Sequence, residues 1–152
     1  MSLGPGSSAP AIDLSTDDGR FSLAEHAGKT VVVYFYPKDD TSGCTLEAKD
    51  FTALGPEFER LGVVVVGISP DGEKSHAKFR AKHGLAVRLA SDPDQAVANA
   101  YGVWKEKSMY GRKYMGIERT TVLIGPDGRI ARIWEKVKVT GHAAAVLKAV
   151  GG

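Results

Sequence analysis

The chain has one cysteine, Cys44, and it stands in the stretch YFYPKDDTSGCTLEAKD from Tyr34 to Asp50. A cysteine acts as a nucleophile through its thiolate, so the question is which neighbours stabilise that anion. Thr41, Ser42 and Gly43 come directly before it and can open a helix. In a first helical turn the backbone N–H groups lack partners and the dipole is positive, which favours thiolate over thiol. Thr41 can place a hydroxyl beside the sulfur, accepting from the thiol or donating to a substrate oxygen; it can equally cap the helix. Pro37 removes a backbone donor and fixes the chain as it leaves the preceding strand, and ending that strand is its simpler role. Arg119 opens the segment TTVLIG. Its guanidinium can reach over the sheet edge to hold a thiolate and bind an oxygen-rich group, or it can stay in solvent. No histidine is close in sequence to either element, so a Cys–His pair has no local support. His26, His76, His83 and His142 are far apart and there is no second cysteine, so no metal site is expected.

These residues need a frame, and the hydrophobic pattern supplies one. TVVVYFYP reads as a buried strand running into Cys44, and GVVVVGIS (62–69) as a second strand of the parallel kind. Phe51, Leu54, Phe58 and Leu61 recur at steps of three and four, one helical stripe interrupted by Gly55-Pro56, where a break and restart are expected. A helix over 73–83 ends at Gly84, and a shorter strand covers 85–90. Ser91-Asp92-Pro93 opens a short helix. Earlier, Asp18-Gly19 signals a hairpin, and Ser22 can cap a short helix through His26. VWKEKSMYGRKYMGIER is mixed, basic and aromatic, and reads as a long loop with an extended arm. TTVLIGPDGRIARIWE is a hairpin turned by Pro126-Asp127-Gly128, and Thr140 can cap a last helix. Strands alternating with helices, then a terminal hairpin and helix, give an α/β sandwich with a mixed sheet. Cys44 lies at a βα turn after a central strand, where such sheets place their sites.

Bulk properties exclude several classes. A chain of 152 residues, 43% hydrophobic and 25% charged, is expected to form a single globular domain over 1–152, with 1–7 flexible. The net charge of +2 comes from 20 basic and 18 acidic residues, too balanced for a nucleic-acid footprint. No apolar run reaches the ~20 residues of a membrane span. MSLGPGSSAP has no export pattern, and a lone cysteine fits a reducing cytoplasm.

Pro37, Thr41 and Cys44 fit the signature P-x-x-x-T-x-x-C. With YFYPKDDTSGCTLEAKDF, GVVVVGISPDGEKSHAKF and YGVWKEKSMYGRKYMGIERTTVLIGPDGRI in order, the chain from about residue 8 onward resembles the peroxiredoxins, in particular the peroxiredoxin Q (bacterioferritin comigratory protein) group. The resemblance implies an α/β thioredoxin-like three-layer sandwich with a mixed central sheet and an added N-terminal β-hairpin. It implies a thiol-dependent peroxidase without cofactor, reducing hydrogen peroxide and organic hydroperoxides through a sulfenic acid.

Carried onto this sequence, Cys44 is the peroxidatic nucleophile. Thr41 hydrogen-bonds the peroxide, Pro37 shields the sulfur, and Arg119 activates the thiolate and orients the oxygens. N–H groups near Gly43 and Cys44 also bind substrate. Glu47 matches an acidic position of the group, as a buried support for Arg119 or on a solvated helix face. Trp104 and Tyr110 are implied to be framework of the site wall. Relatives carry a resolving cysteine five residues after the first or on the next helix; here Lys49 takes the first position and residues 73–83 have none. An external thiol such as thioredoxin, glutaredoxin or glutathione is therefore the expected reductant, and a monomer or weak dimer the expected form. A thiol–disulfide oxidoreductase lacks its C-x-x-C motif. A peroxide sensor or holdase chaperone on the same fold is the alternative.

Overall fold

The computed structural model describes residues 3–152. Its frame is a seven-stranded mixed sheet in the order β2-β1-β5-β4-β3-β8-β9. The strands are β1 (Asp13–Thr16), β2 (Gly19–Ser22), β3 (Thr30–Phe35), β4 (Val63–Ser69), β5 (Arg88–Ser91), β8 (Thr120–Ile124) and β9 (Ile130–Trp134). Strands β3, β4 and β5 run parallel, while β8 pairs antiparallel with β3 and β9 antiparallel with β8. The hairpin β1–β2 joins the other edge, Thr16 facing Ala90. The apolar runs of β3 and β4 are buried on both faces, as parallel strands between helices should be. Val31, Val33 and Phe35 face one core with helix α4 (Ala96–Ala100). Val32, Tyr34 and Tyr36 face the other, with α1 (Ser42–Ala53), α2 (Gly55–Arg60), α3 (Glu73–His83) and α5 (His142–Ala149). This is the layered thioredoxin-like arrangement expected.

The Gly55-Pro56 break is present, with Leu54 ending α1 and opening α2. Phe51 and Phe58 of the stripe are buried, but Leu61 is exposed beyond the restarted helix. Helix α3 has the expected bounds and closes on Gly84 at φ 63°, a left-handed position suited to glycine.

Four local expectations need correction. Residues 104–117 are not a loop: β6 (Trp104–Met109) and β7 (Arg112–Ile117) pair as a separate two-stranded sheet. Ser91-Asp92-Pro93 does supply the cap of α4, through the buried Asp92 carboxylate that accepts from Val97 and Ala98, but the proline is not at the first helical position, since α4 begins at Ala96. Thr140 does not cap α5, whose N-cap is Gly141 at φ 75°. The N-terminal segment is tied down: Gly6 donates to Ile130 O, Ile130 to Ser7 O and Ala9 to Gly128 O, and Leu3 packs on the core. The expected flexibility of Met1 and Ser2 falls outside the described residues.

Candidate active site around Cys44

The sheet register brings the candidate residues together. Phe35 of β3 faces Thr120 of β8, so Arg119 stands opposite the chain as it leaves β3 for α1. Its backbone is fixed by Val137, whose N–H donates to Arg119 O at 3.0 Å. From there the guanidinium crosses the first turn of α1. Nη2 donates to Cys44 Sγ at 3.2 Å and Nη1 to Glu47 Oε1 at 2.7 Å. Cys44 and Glu47 are three residues apart and share a helix face. Both are 1% exposed, so Glu47 is not on a solvated face. A Cβ on Gly43 would lie 3.3 Å from Arg119 Nη2, so this position keeps the path of the guanidinium open.

Electrostatics around Arg119 are those of a half-buried cation shared between two buried acceptors. Burial works against its charge, but Glu47 and Cys44 outweigh it and hold the guanidinium above its ordinary value. Burial pushes the Glu47 carboxyl from 4.5 up to about 7; Arg119 opposes this and Asp50 adds to it. Among the described residues, Glu47 Oε2 has no hydrogen-bond partner, nor has the buried hydroxyl of Tyr34. His142 is brought down to about 4, by burial first and by the charge of Arg119 second, and its Nε2 pairs with Thr121 Oγ1 at 2.8 Å.

Thr41 is the N-cap of α1 but makes no side-chain cap bond. Its exposed hydroxyl donates to Lys38 O at 2.8 Å. The donor role toward thiol or substrate is thus taken up, while the oxygen keeps lone pairs for accepting. Uncapped by that side chain, the first-turn N–H groups of α1 stay free to face an anion. Pro37 is half-buried at the end of β3, and Lys49 is exposed on α1 away from the sulfur. Trp104 packs in part against the core, but Tyr110 is 98% exposed at the β6–β7 turn and walls no site.

Sequence reasoning missed how the loop before α1 is anchored. Asp39 accepts from Tyr36 Oη (2.6 Å) and Ser75 Oγ (2.8 Å) and pairs with His76 Nδ1 (2.7 Å), while its amide donates to Asp71 Oδ2 at 2.7 Å. His76 is fully buried, its Nε2 3.1 Å from Ala90 O. Asp40, at φ 60°, is held by Lys82 Nζ and His83 Nε2, each at 2.7 Å. Helix α3 therefore clamps the loop that carries Thr41 and Cys44. The paired acids of PKDDTSGC were the only signal, and they point to no partner without the fold. Among the described residues no cluster of His, Cys, Asp or Glu could hold a metal ion. No helix there is long and apolar enough to cross a membrane.

The AhpC/TSA family model matches residues 5–133. Peroxiredoxin Bcp of Xanthomonas campestris is 53% identical over 129 residues, 85% of this chain and 81% of that protein. A putative peroxiredoxin bcp of Coxiella burnetii is 49% identical over 97% of this chain and 98% of its own length. A solved structure of the Xanthomonas campestris bacterioferritin comigratory protein, described through its alkyl peroxide reduction activity, superposes with a TM-score of 0.88 at 47% identity. That match covers 99% of this chain and 96% of the other. With this fold and a sole cysteine under an arginine, the chain belongs to the AhpC/TSA family of thiol peroxidases and, within it, to the peroxiredoxin Q (bacterioferritin comigratory protein) group.

Proposed function

We propose that Cys44 is the peroxidatic nucleophile of a one-cysteine enzyme that reduces hydrogen peroxide and small organic hydroperoxides. The observation that carries this reading is Arg119 Nη2 at 3.2 Å from the only sulfhydryl sulfur, at the open end of a helix. The thiolate attacks one peroxide oxygen in line. The S–O bond forms as the O–O bond breaks, and the other oxygen leaves as alkoxide or hydroxide and takes a proton. Negative charge spreads over both oxygens in the transition state. Arg119 and the N–H groups around Gly43 and Cys44 are donors already in place for it, so little reorganisation is needed. The Thr41 oxygen, its own proton given to Lys38 O, accepts from the hydroperoxide O–H. Pro37 keeps water from the sulfur. The alkyl peroxide activity of the Xanthomonas relative supports the substrate class.

Recycling requires an external thiol, since the chain has no other cysteine. Thioredoxin, glutaredoxin or glutathione in a reducing cytoplasm fits this, with a monomer or weak dimer sufficient. Cys44 is 1% exposed, so the reductant reaches it only when the first turn of α1 opens. The test is peroxide consumption with each thiol in excess. Many turnovers per protein are expected, and none in Cys44→Ser, because a serine hydroxyl is not ionised near neutral pH. A single oxidation without turnover would indicate a sensor, and turnover surviving in Cys44→Ser would remove Cys44 from the mechanism.

A further inference from the structure

One guanidinium serves two acceptors that can each carry a negative charge, and both are shut away from water. Arg119 donates to Cys44 Sγ through Nη2 and to Glu47 Oε1 through Nη1. With both ionised, two buried anions would share one half-buried cation, and the low dielectric around the anions makes that arrangement costly. Glu47 Oε2 adds a second sign, being a buried carboxyl oxygen with no donor aimed at it. A carboxylate lacks compensation there, whereas a carboxylic acid needs less.

We infer that Glu47 holds a proton while Cys44 is a thiolate and releases it once the sulfur becomes a neutral sulfenic acid. The inference rests on the peroxidase reading of Cys44. The steps balance. The pair begins as thiolate and carboxylic acid. Attack on the hydroperoxide ROOH gives Cys44–S–OH and the alkoxide RO⁻, the sulfur losing two electrons and the O–O bond gaining them. The alkoxide must take one proton to leave as ROH. Oxidation removes the anion that competed with Glu47 for Arg119, so the carboxyl ionises against a guanidinium now its own. The proton that the alkoxide needs and the proton that Glu47 releases cancel, so the site oxidises with no net exchange with solvent.

The surrounding groups agree. From α1, Asp50 opposes ionisation of Glu47, and burial is the largest influence holding its proton, to about 7. From β3, the Tyr34 hydroxyl is kept neutral, by burial first and by Glu47 and Cys44 after it. From α5, His142 is kept neutral and supplies no competing cation. Among the described residues, Arg119 is the one cation that the carboxyl and the sulfur share.

The measurement is proton uptake during oxidation by one equivalent of peroxide, read with an indicator dye in weakly buffered solution at about pH 8. Burial brings Glu47 to about 7 without any charge on the sulfur, so at this pH the thiolate is what keeps the carboxyl protonated before oxidation, and the carboxyl is ionised once that charge is gone. Thiolate absorbance before addition and intact mass after it are read on the same sample. The expected result is a thiolate at the start, one added oxygen at the end and close to zero protons taken up. Glu47→Gln, which has no proton to release, should take up about one proton per sulfenic acid formed. A purely structural role for Glu47 would not move this stoichiometry. Uptake of about one proton by the unaltered protein overturns the inference, as does uptake near zero in Glu47→Gln or absence of thiolate at the start. If Glu47→Gln does not fold, the unaltered protein decides alone. Failure to gain an oxygen overturns the peroxidase reading itself, a different outcome from a changed proton count.

Discussion

Replacing Arg119 by lysine keeps the charge but removes the fork that engages Cys44 and Glu47 through two different nitrogens. The second-order rate with peroxide should fall about 10–100-fold, roughly 1.4–2.7 kcal/mol of transition-state stabilisation. An unchanged rate would show that the sulfur does not depend on the planar group. The charges beside Arg119 also make a prediction about stability. Glu47 is raised from 4.5 to about 7, so its contribution is full below 4.5 and is lost as pH climbs through 7. His142 is lowered from 6.5 to about 4, so its contribution is full above 6.5 and is lost as pH falls through 4. The two slopes oppose each other over most of the same window. Glu47→Gln should therefore give a melting temperature that rises from pH 4 to 6.5, and His142→Asn one that falls from 4.5 to 7, each by on the order of 5 °C. Parallel profiles in the two variants would contradict the assignment.

At the scale of elements, the fit between β3 and β4 is tight where Tyr34 lies over Gly67. A Cβ on Gly67 would stand 2.5 Å from Tyr34 Cζ, so Gly67→Ala should cost about 1–3 kcal/mol by overpacking, measured by denaturant unfolding. Helix α1 makes a second prediction. Lys49 is exposed five residues after Cys44, so a cysteine there meets the sulfur only when α1 unwinds. Lys49→Cys should form an intramolecular disulfide after one equivalent of peroxide and resist over-oxidation. Intact mass should then show loss of two hydrogens. A persistent oxygen adduct in that variant would mean that α1 stays closed. Strands β3, β4 and β8 were legible in the sequence because burial on both faces leaves unbroken apolar runs. The β6–β7 hairpin was not. Most of its residues are exposed, so no alternating pattern marks it, and its turn uses Tyr110-Gly111 at φ 51° and 77° rather than an Asn-Gly pair. Helix starts failed for a related reason. Thr140 looks like a cap locally, but Gly141 occupies the N-cap of α5, and Pro93 looks like a first helical residue, but Asp92 caps α4 from before a later start at Ala96.

Across the whole molecule the site joins segments 75 residues apart, Cys44 on α1 and Arg119 at the entry to β8. Spacing alone left Arg119 free to point anywhere; the β3–β8 register closes that choice. Glu47 became legible only with burial, since an acid three residues after Cys44 on a helix has no fixed side until the core is known. The clamp of α3 on Asp39 and Asp40 was hidden entirely, because it depends on the crossover that lays α3 beside the loop. What was legible was the cysteine at a strand-to-helix turn, and the central claim rests on it. The direct test is intact mass after one equivalent of peroxide, before and after adding a thiol. The account expects one oxygen gained at Cys44, no gain in Cys44→Ser, and return to the starting mass with thiol. No oxygen gained, or the same gain in Cys44→Ser, would contradict it.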